Sequence, residues 1–473
     1  MTVTASDSLQ AEKLRADPRV LEAKRLLQEA LAEHGAPLTE VRPPRESLLA
    51  GYEAMLKRLE TSRGGKPIWP YLASGIGNGP WVELADGSVK LDMIGGIGVH
   101  GAGHSHPAIL DAAVDAAIED TLMQGNLQQH PPGMVLSERL LEWAVQPNSQ
   151  QESAALDHCM LSTSGAMANE NALKIALHHA APADRVIAFE NAFAGRSLAM
   201  AAITDRPNYR QGLPLALQVD YLPFLDPADP VGSQQRAVDE LKRLLNRHPG
   251  RYGAFWAEPF AGEGGYYSGS HDFLMALCRP LKEAGVPIIF DEVQAFSRLS
   301  RPYAFQHYGL ESMVDIVTVG KITQVCATLY GEAFKPKGPI LSQTFTGASA
   351  SIAAGLTMLD QLQQANCFGE DGANMQRHRY FAAALEGLAK KYPGKISGPF
   401  GEGMMIAFTP GDGQFETAKA LLDTLYTEGL LGFICGAQPT RIRFLPPPAI
   451  ATNEHIDQAC QILDRVLAKG EAE

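Results

Sequence analysis

Between residues 185 and 320 the chain repeats one arrangement: a short, continuously apolar run, then a longer helical stretch. The runs are RVIAFE, YGAFWAEP, VPIIFDEV and DIVTVG. Strands apolar on both faces and separated by helices require a mostly parallel sheet with helices packed on each side. In such sheets ligands sit beyond the carboxyl ends of the strands, so any chemistry is expected just after the runs. At 473 residues the chain is too long for one small core. After about residue 370, helical segments surround two further strand-like pieces, MMIAFTP and RIRFLPP. The fold class expected is therefore α/β, a large domain with a helix-covered central sheet plus a smaller α+β domain. The boundaries read as 1–97 for an N-terminal helical extension and hairpin belonging to the small domain, 98–368 for the large domain and 369–473 for the rest of the small domain.

The N-terminal part has its own signals. Residues 19–34 form an amphipathic helical pattern with Leu21, Leu26, Leu27, Ala30 and Leu31 as its apolar positions, stopped by Gly35 and Pro37. The Pro-rich VRPPRES joint precedes a second helical stretch over 46–61, and WVELADGSVKLDM reads as a hairpin about Asp86-Gly87. The first twenty residues lack the apolar core of a secretory leader, and no run is apolar enough to cross a bilayer. Cys159, Cys278, Cys326, Cys367, Cys435 and Cys460 are scattered with no CxxC pair, which suits free thiols in a reducing compartment. The cytoplasm is the expected location. A net charge of -13 argues against nucleic acid or an anionic membrane as the main partner.

Polar groups follow the apolar runs in order: Glu258 after FWA, Asp291 and Gln294 at the end of VPIIFDEVQ, and Lys321 after DIVTVG. Singly, each carboxylate reads first as a loop or helix cap, and the lysine as a solvated surface residue. LSTSGAMANENALKIALHH runs from a strand through Ser164-Gly165 into a helix. Its N-terminus suits a phosphate, and equally suits a plain Ser cap. Together the groups fit one chemistry: a lysine amine that forms an imine with an aldehyde cofactor, and a carboxylate that keeps a pyridine nitrogen protonated.

The order of motifs makes this specific. GHSHP, STSGAMANE, NAFAGRS, AEPFAGEGG, DEVQAF, VTVGK, TFTGAS and RFLPP resemble, in sequence, the motifs of class III aminotransferases, fold-type I pyridoxal-phosphate enzymes. The resemblance runs from about Trp81 to Ile456 and is weakest over the first seventy residues. It implies pyridoxal 5'-phosphate held as a Schiff base on Lys321, with Asp291 facing the pyridinium and Gln294 near the ring hydroxyl. Gly165 and Ala166, with Ser164 beside them, would bind the phosphate and Phe193 would stack on the ring; Glu258 belongs to the same cofactor set. Thr344 would reach the phosphate of a partner subunit, so a homodimer with shared sites is implied.

For substrate, the resemblance places Arg196 on a distal carboxylate and Arg443 on the α-carboxylate of glutamate or 2-oxoglutarate, with Glu263 as the gate that covers Arg443. Arginine suits both tasks because its planar fork binds carboxylate bidentately. Arg441 reads as a structural salt bridge. GKITQVC is similar to lysine 6-aminotransferases, and the short path from Lys321 to Thr344 to the 4-aminobutyrate branch. This implies transfer of the terminal amine of an ω-amino acid or diamino acid to a keto acid, 2-oxoglutarate foremost, by a ping-pong cycle. Racemases, aminomutases and decarboxylating enzymes share the scaffold, and a non-catalytic binding protein is a further alternative. The chain departs from the family pattern at Ala166, Met167, Ala194, Ala295, Phe296, Ala348 and Ser349, and Ile97 falls where ornithine-type enzymes carry a substrate-contacting Tyr. Smaller, more apolar residues there imply a longer or more hydrophobic amine. His100, His104 and His106 read as structural, and no metal is expected.

Overall fold

The computed structural model describes residues 9–125 and 127–469. Residues 1–8, part of the stretch read above for a leader, lie outside the described residues.

The two N-terminal helical patterns form helices α1 (Pro18–Gly35) and α2 (Glu46–Arg63). Asp17 caps α1 by accepting from the Arg19 N–H, with Pro18 at the first helical position. The helix docks on α3 (Pro107–Ala117) through Lys24, which reaches Asp111 and Asp115, and its leucines Leu21, Leu26 and Leu27 stay exposed. Next come β1 (Ala73–Asn78), β2 (Trp81–Leu84) and β3 (Val89–Asp92), with β2 and β3 paired antiparallel across the Asp86-Gly87 turn.

The central sheet has seven strands: β4 (His158–Ser162), β5 (Arg185–Phe189), β6 (Gln218–Leu222), β7 (Tyr252–Ala257), β8 (Ile288–Asp291), β9 (Ile316–Val319) and β10 (Cys326–Tyr330). Their spatial order is β4-β10-β9-β8-β7-β5-β6. β8 pairs parallel with β7 and β9, and β5 with β6 and β7, while β10 runs antiparallel to both of its neighbours. The reversal follows from chain length. Too few residues separate β9 from β10 for a crossover helix, so the chain turns back on itself.

The sheet is covered on both sides, which explains the unbroken apolar runs. Ile288 and Phe290 enter one core with Phe255, Val317 and Val319; Ile289 enters the opposite core with Ala254, Trp256 and Ile316. Side-chain period two sends neighbours to opposite faces, and both faces are buried.

A second core lies over β11 (Ile396–Glu402), β12 (Met405–Pro410), β13 (Leu430–Leu431), β14 (Phe433–Cys435) and β15 (Arg441–Phe444). The order β11-β12-β15-β14 is antiparallel, whereas β13 pairs parallel with β3 and so attaches the N-terminal hairpin to the C-terminal residues. No described helix is long and apolar enough to cross a membrane.

Candidate active site

Five loops leave the carboxyl ends of β4, β5, β7, β8 and β9 and meet around one cavity of about 350 Å³. Its walls carry Gly165 and Ala166 from the first loop, Phe193 and Arg196 from the second, and Glu258, Asp291, Gln294 and Lys321 from the others. The residues selected from scattered stretches of sequence are therefore neighbours.

Asp291 ends β8 and is buried. One carboxylate oxygen accepts from the Val293 N–H at 2.9 Å, the other from Asn169 Nδ2 at 2.6 Å. Asn169 is itself fixed, donating to the Ala194 carbonyl at 2.8 Å and accepting from the Thr318 hydroxyl at 2.7 Å. Burial raises the Asp291 pKa to about 6, opposed by these bonds and by the Lys321 charge. Burial, then the charge on Asp291, pushes Glu258 well above the usual carboxylate range. Two carboxyls in one dry space cannot both ionise cheaply. Burial pushes Glu258 toward its neutral form, while its hydrogen bonds and the Lys321 charge favour the charged form of Asp291.

Lys321 stands two residues beyond β9, in a left-handed backbone conformation with φ 54°. A non-glycine residue held there is strained, and such strain gathers at functional sites. Burial pushes its amine pKa down, favouring the neutral nucleophilic form, against the pull of Glu263.

Helix α4 (Gly165–His179) begins at the cavity. Ser164 is its N-cap, its hydroxyl accepting from the Met167 N–H at 3.2 Å. The first-turn N–H groups of Gly165 and Ala166 have no carbonyl within the helix to bond, so they are available to an anion. The plain Ser cap and the phosphate turn thus coexist. A Cβ at Gly165 would stand 2.8 Å from Val293 Cγ1, so the close packing of this turn on the strand end requires glycine. Buried lysine, paired carboxyls, an anion-ready helix start and the Phe193 ring suit an aldehyde-bearing, phosphorylated aromatic cofactor.

Arg443, fully buried on β15, bonds the Glu263 carboxylate and donates to Gln294 Oε1 at 3.0 Å. Gln294 Nε2 faces Glu263 at 3.5 Å. Gln294 therefore links the cofactor cavity to the arginine, beyond the single cofactor contact expected of it. Among the described residues Arg443 Nε and the Tyr266 hydroxyl are buried without a hydrogen-bond partner, the kind of orphan that a ligand carboxylate can satisfy. Arg196 is exposed and lies 4.2 Å over the Tyr209 ring.

One expectation changes, that for Arg441. Arg441 makes no salt bridge among the described residues. It donates to the Gly265 carbonyl and stacks over Phe400 at 3.5 Å and Tyr267 at 4.4 Å, because aromatic faces, not a carboxylate, surround it. Ile97 does not line the cofactor cavity. It borders a separate cavity of about 390 Å³ with Trp69, Tyr71 and Phe433. Thr344 is exposed and does not line the cavity of its own chain, although its neighbour Gln343 accepts from the Thr163 N–H at 3.2 Å beside the start of α4; the Thr344 carbonyl accepts from the Gly125 N–H at 3.1 Å. His104 Nε2 pairs with the buried Asp92 at 2.9 Å, and His100 stacks on His104 at 4.4 Å. Among the described residues no group of His, Cys, Asp or Glu could hold a metal ion.

Three contributors were missed. Asn169 was quoted in STSGAMANE without a role; its place one turn into a helix that starts at the cavity was the available signal. Arg298, fully buried, donates to Gln294 O at 3.0 Å and Gly98 O at 2.6 Å, tying the Ile97 loop to the site. Arg206 donates to the Glu263 carbonyl at 2.8 Å, and no motif marked it.

The family model described as aminotransferase class-III matches residues 67–467. The chain belongs to the class III aminotransferases. Among relatives of this aminotransferase, the acetylornithine aminotransferase of Methanocaldococcus jannaschii is 30% identical over 83% of this chain and 92% of its own. The 2-aminoadipate transaminase of Pseudomonas putida is 32% identical over 81% and 92%. A structure of lysine aminotransferase from M. tuberculosis in the internal aldimine form superposes with a TM-score of 0.75 at 23% identity, covering 88% of this chain and 99% of that one. A phospholyase from Arthrobacter, crystallised with phosphoethanolamine, superposes at 0.76 with 23% identity, over 88% and 99%. These structures establish the fold-type I architecture. The aminotransferase is pyridoxal-phosphate dependent, as its family is.

Proposed function

We propose that this aminotransferase moves the terminal amine of an ω-amino acid or diamino acid to 2-oxoglutarate in a ping-pong cycle, with Lys321 as the amine that bonds the cofactor. The observation that carries the reading is the meeting of Lys321 and the charged Asp291 from adjacent strand ends in one cavity with the start of α4. When bound, pyridoxal phosphate supplies an aldehyde and an electron-accepting ring. Asp291 keeps the ring nitrogen protonated, and Asn169 keeps Asp291 aimed. Gly165 and Ala166 N–H groups hold the phosphate, Ser164 shapes their turn, Phe193 covers the ring and Gln294 contacts its hydroxyl side. Glu258, pushed toward its neutral form, leaves the charge to Asp291. The buried Lys321 amine would also carry the proton to and from the substrate carbon.

Arg196 takes the carboxylate at the far end of the donor. In the donor half-reaction Glu263 neutralises Arg443; in the acceptor half-reaction Arg443 is freed for the α-carboxylate of 2-oxoglutarate. The names of the relatives, acetylornithine and 2-aminoadipate, support an amino acid with a functional group at each end. The apolar cavity bordered by Ile97 would suit a donor with apolar length if the chain of the donor extends toward it. We assign 1–97, 98–368 and 369–473 as domain divisions, the cytoplasm as location and a homodimer as the active unit. The exposed Leu122, Leu127 and Phe345 close to Thr344 in sequence or pairing support the dimer.

The test is an amino-acceptor assay over a donor panel. A transaminase consumes donor and 2-oxoglutarate in equal amounts. Turnover of donor without any keto acid would assign a racemase, mutase or lyase instead. Lack of a visible-range absorbance band after addition of pyridoxal phosphate would indicate a non-catalytic protein.

A further inference from the structure

A gate that swings needs somewhere to go. In the structure the Glu263 carboxylate bonds Arg443, whose guanidinium is fully buried. When a substrate carboxylate takes Arg443, Glu263 must leave. The other cation that acts on Glu263 is Lys321, which the proposed function commits to the cofactor, so a Glu263 with no further partner would resist displacement.

We propose that Arg206 is the second seat of the Glu263 carboxylate. Arg206 and Glu263 border the same cavity of about 460 Å³, together with Tyr209 and Phe433. Arg206 Nη2 already donates to the Glu263 main-chain carbonyl at 2.8 Å, and the Gly436 N–H donates to that same oxygen at 2.9 Å. The backbone of the gate is thereby fixed, and only its side chain has to turn. Among the described residues Arg206 has no ion-pair partner. Its neighbour Asp205 is engaged by Arg210 at 3.4 Å and by the Asn191 N–H at 2.9 Å. Arg206 is thus a half-buried cation, held beside the gate and free to take its carboxylate. In this arrangement Arg206 is a positioning residue: it sets how readily a dicarboxylate gains Arg443 and touches no reacting atom.

The inference rests on the proposed roles of Arg443 and Glu263, and it is tested by binding without turnover. Glutarate, a dicarboxylate with no keto group, is titrated calorimetrically into the cofactor-loaded enzyme. Arg206→Gln and Arg206→Lys are made in the unsubstituted protein and in Glu263→Gln. The expected result is that Arg206→Gln weakens glutarate about tenfold, the scale of one close charge pair. Arg206→Lys restores most of it, and in Glu263→Gln the Arg206 change shifts binding by less than about twofold. The KM for 2-oxoglutarate follows the same pattern with little change in kcat. Equal weakening in both backgrounds would mean that Arg206 grips the ligand or only supports the fold, and overturns the proposal. So does an Arg206→Gln protein that binds glutarate as well as the unsubstituted one. Failure of the unsubstituted protein to bind glutarate overturns the seat together with the carboxylate role of Arg443. Lys321 is tested independently, by the covalent mapping described below.

Discussion

The two ends of this site are built by opposite means. The cofactor end stands on the carboxyl ends of strands buried on both faces, and Asp291, Asn169 and Thr318 form a closed set of bonds. The substrate end joins Arg443 of the small antiparallel sheet to loops of the large domain, and leaves Arg443 Nε and the Tyr266 hydroxyl without hydrogen-bond partners among the described residues. The Asp291 carboxylate of the first is fixed before any ligand arrives; the arginine of the second is completed by one. That difference teaches where to expect rigidity and where exchange. A group that must stabilise charge during reaction benefits from being fixed in advance, while one that admits two substrates in turn must be able to release each.

Substitutions can break this contrast. Lys321→Ala removes nucleophile and proton carrier together, and turnover should fall by at least about 10⁴-fold. Retention of a tenth of the activity would place the chemistry elsewhere. Asp291→Asn keeps the shape but not the charge, and kcat should fall on the order of 10³-fold with KM little altered. The same carboxylate makes cofactor binding pH-dependent. With its pKa raised to about 6 in the free protein, Asp291 is charged above that pH and neutral below it. Affinity for pyridoxal phosphate, titrated by absorbance, should therefore weaken as the pH falls through about 6, and Asp291→Asn should abolish that dependence.

At the other end the effects should divide between half-reactions. Arg443→Lys loses the two-pronged fork, and the KM for 2-oxoglutarate should rise roughly tenfold to a hundredfold. Single-turnover rates with the donor should change less, which separates the two ends directly. Gly165→Ala sharpens the contrast by a smaller amount. Its methyl would meet Val293 Cγ1 at 2.8 Å, and overpacking of this kind costs about 1–3 kcal/mol, measurable by denaturant unfolding. Far from both ends, Lys24→Ala should cost below about 1 kcal/mol, since partly exposed pairs such as Lys24–Asp115 contribute little.

The same contrast governs what could be read in advance. Lys321, Asp291 and Glu258 were legible because fully buried strands leave unbroken apolar runs, and the polar residue that ends each run stands out. The reversal of β10 was not, since CATLY carries no mark of direction and only the short link after Lys321 decides it. Asn169 reads as an ordinary helix polar residue until the strand end carrying Asp291 is placed against it. The stacking of Arg441 on Phe400 and Tyr267 joins residues far apart in sequence, where charge alone suggested a carboxylate partner. Arg206 was illegible for the same reason: it acts on a main-chain carbonyl, which no side-chain motif records.

The account turns on which amine bonds the cofactor. Protein incubated with pyridoxal phosphate, reduced with borohydride, digested and analysed by mass spectrometry should carry the pyridoxyl adduct on the peptide containing Lys321, in stoichiometric yield. An adduct distributed over surface lysines, or absent from Lys321, would contradict it.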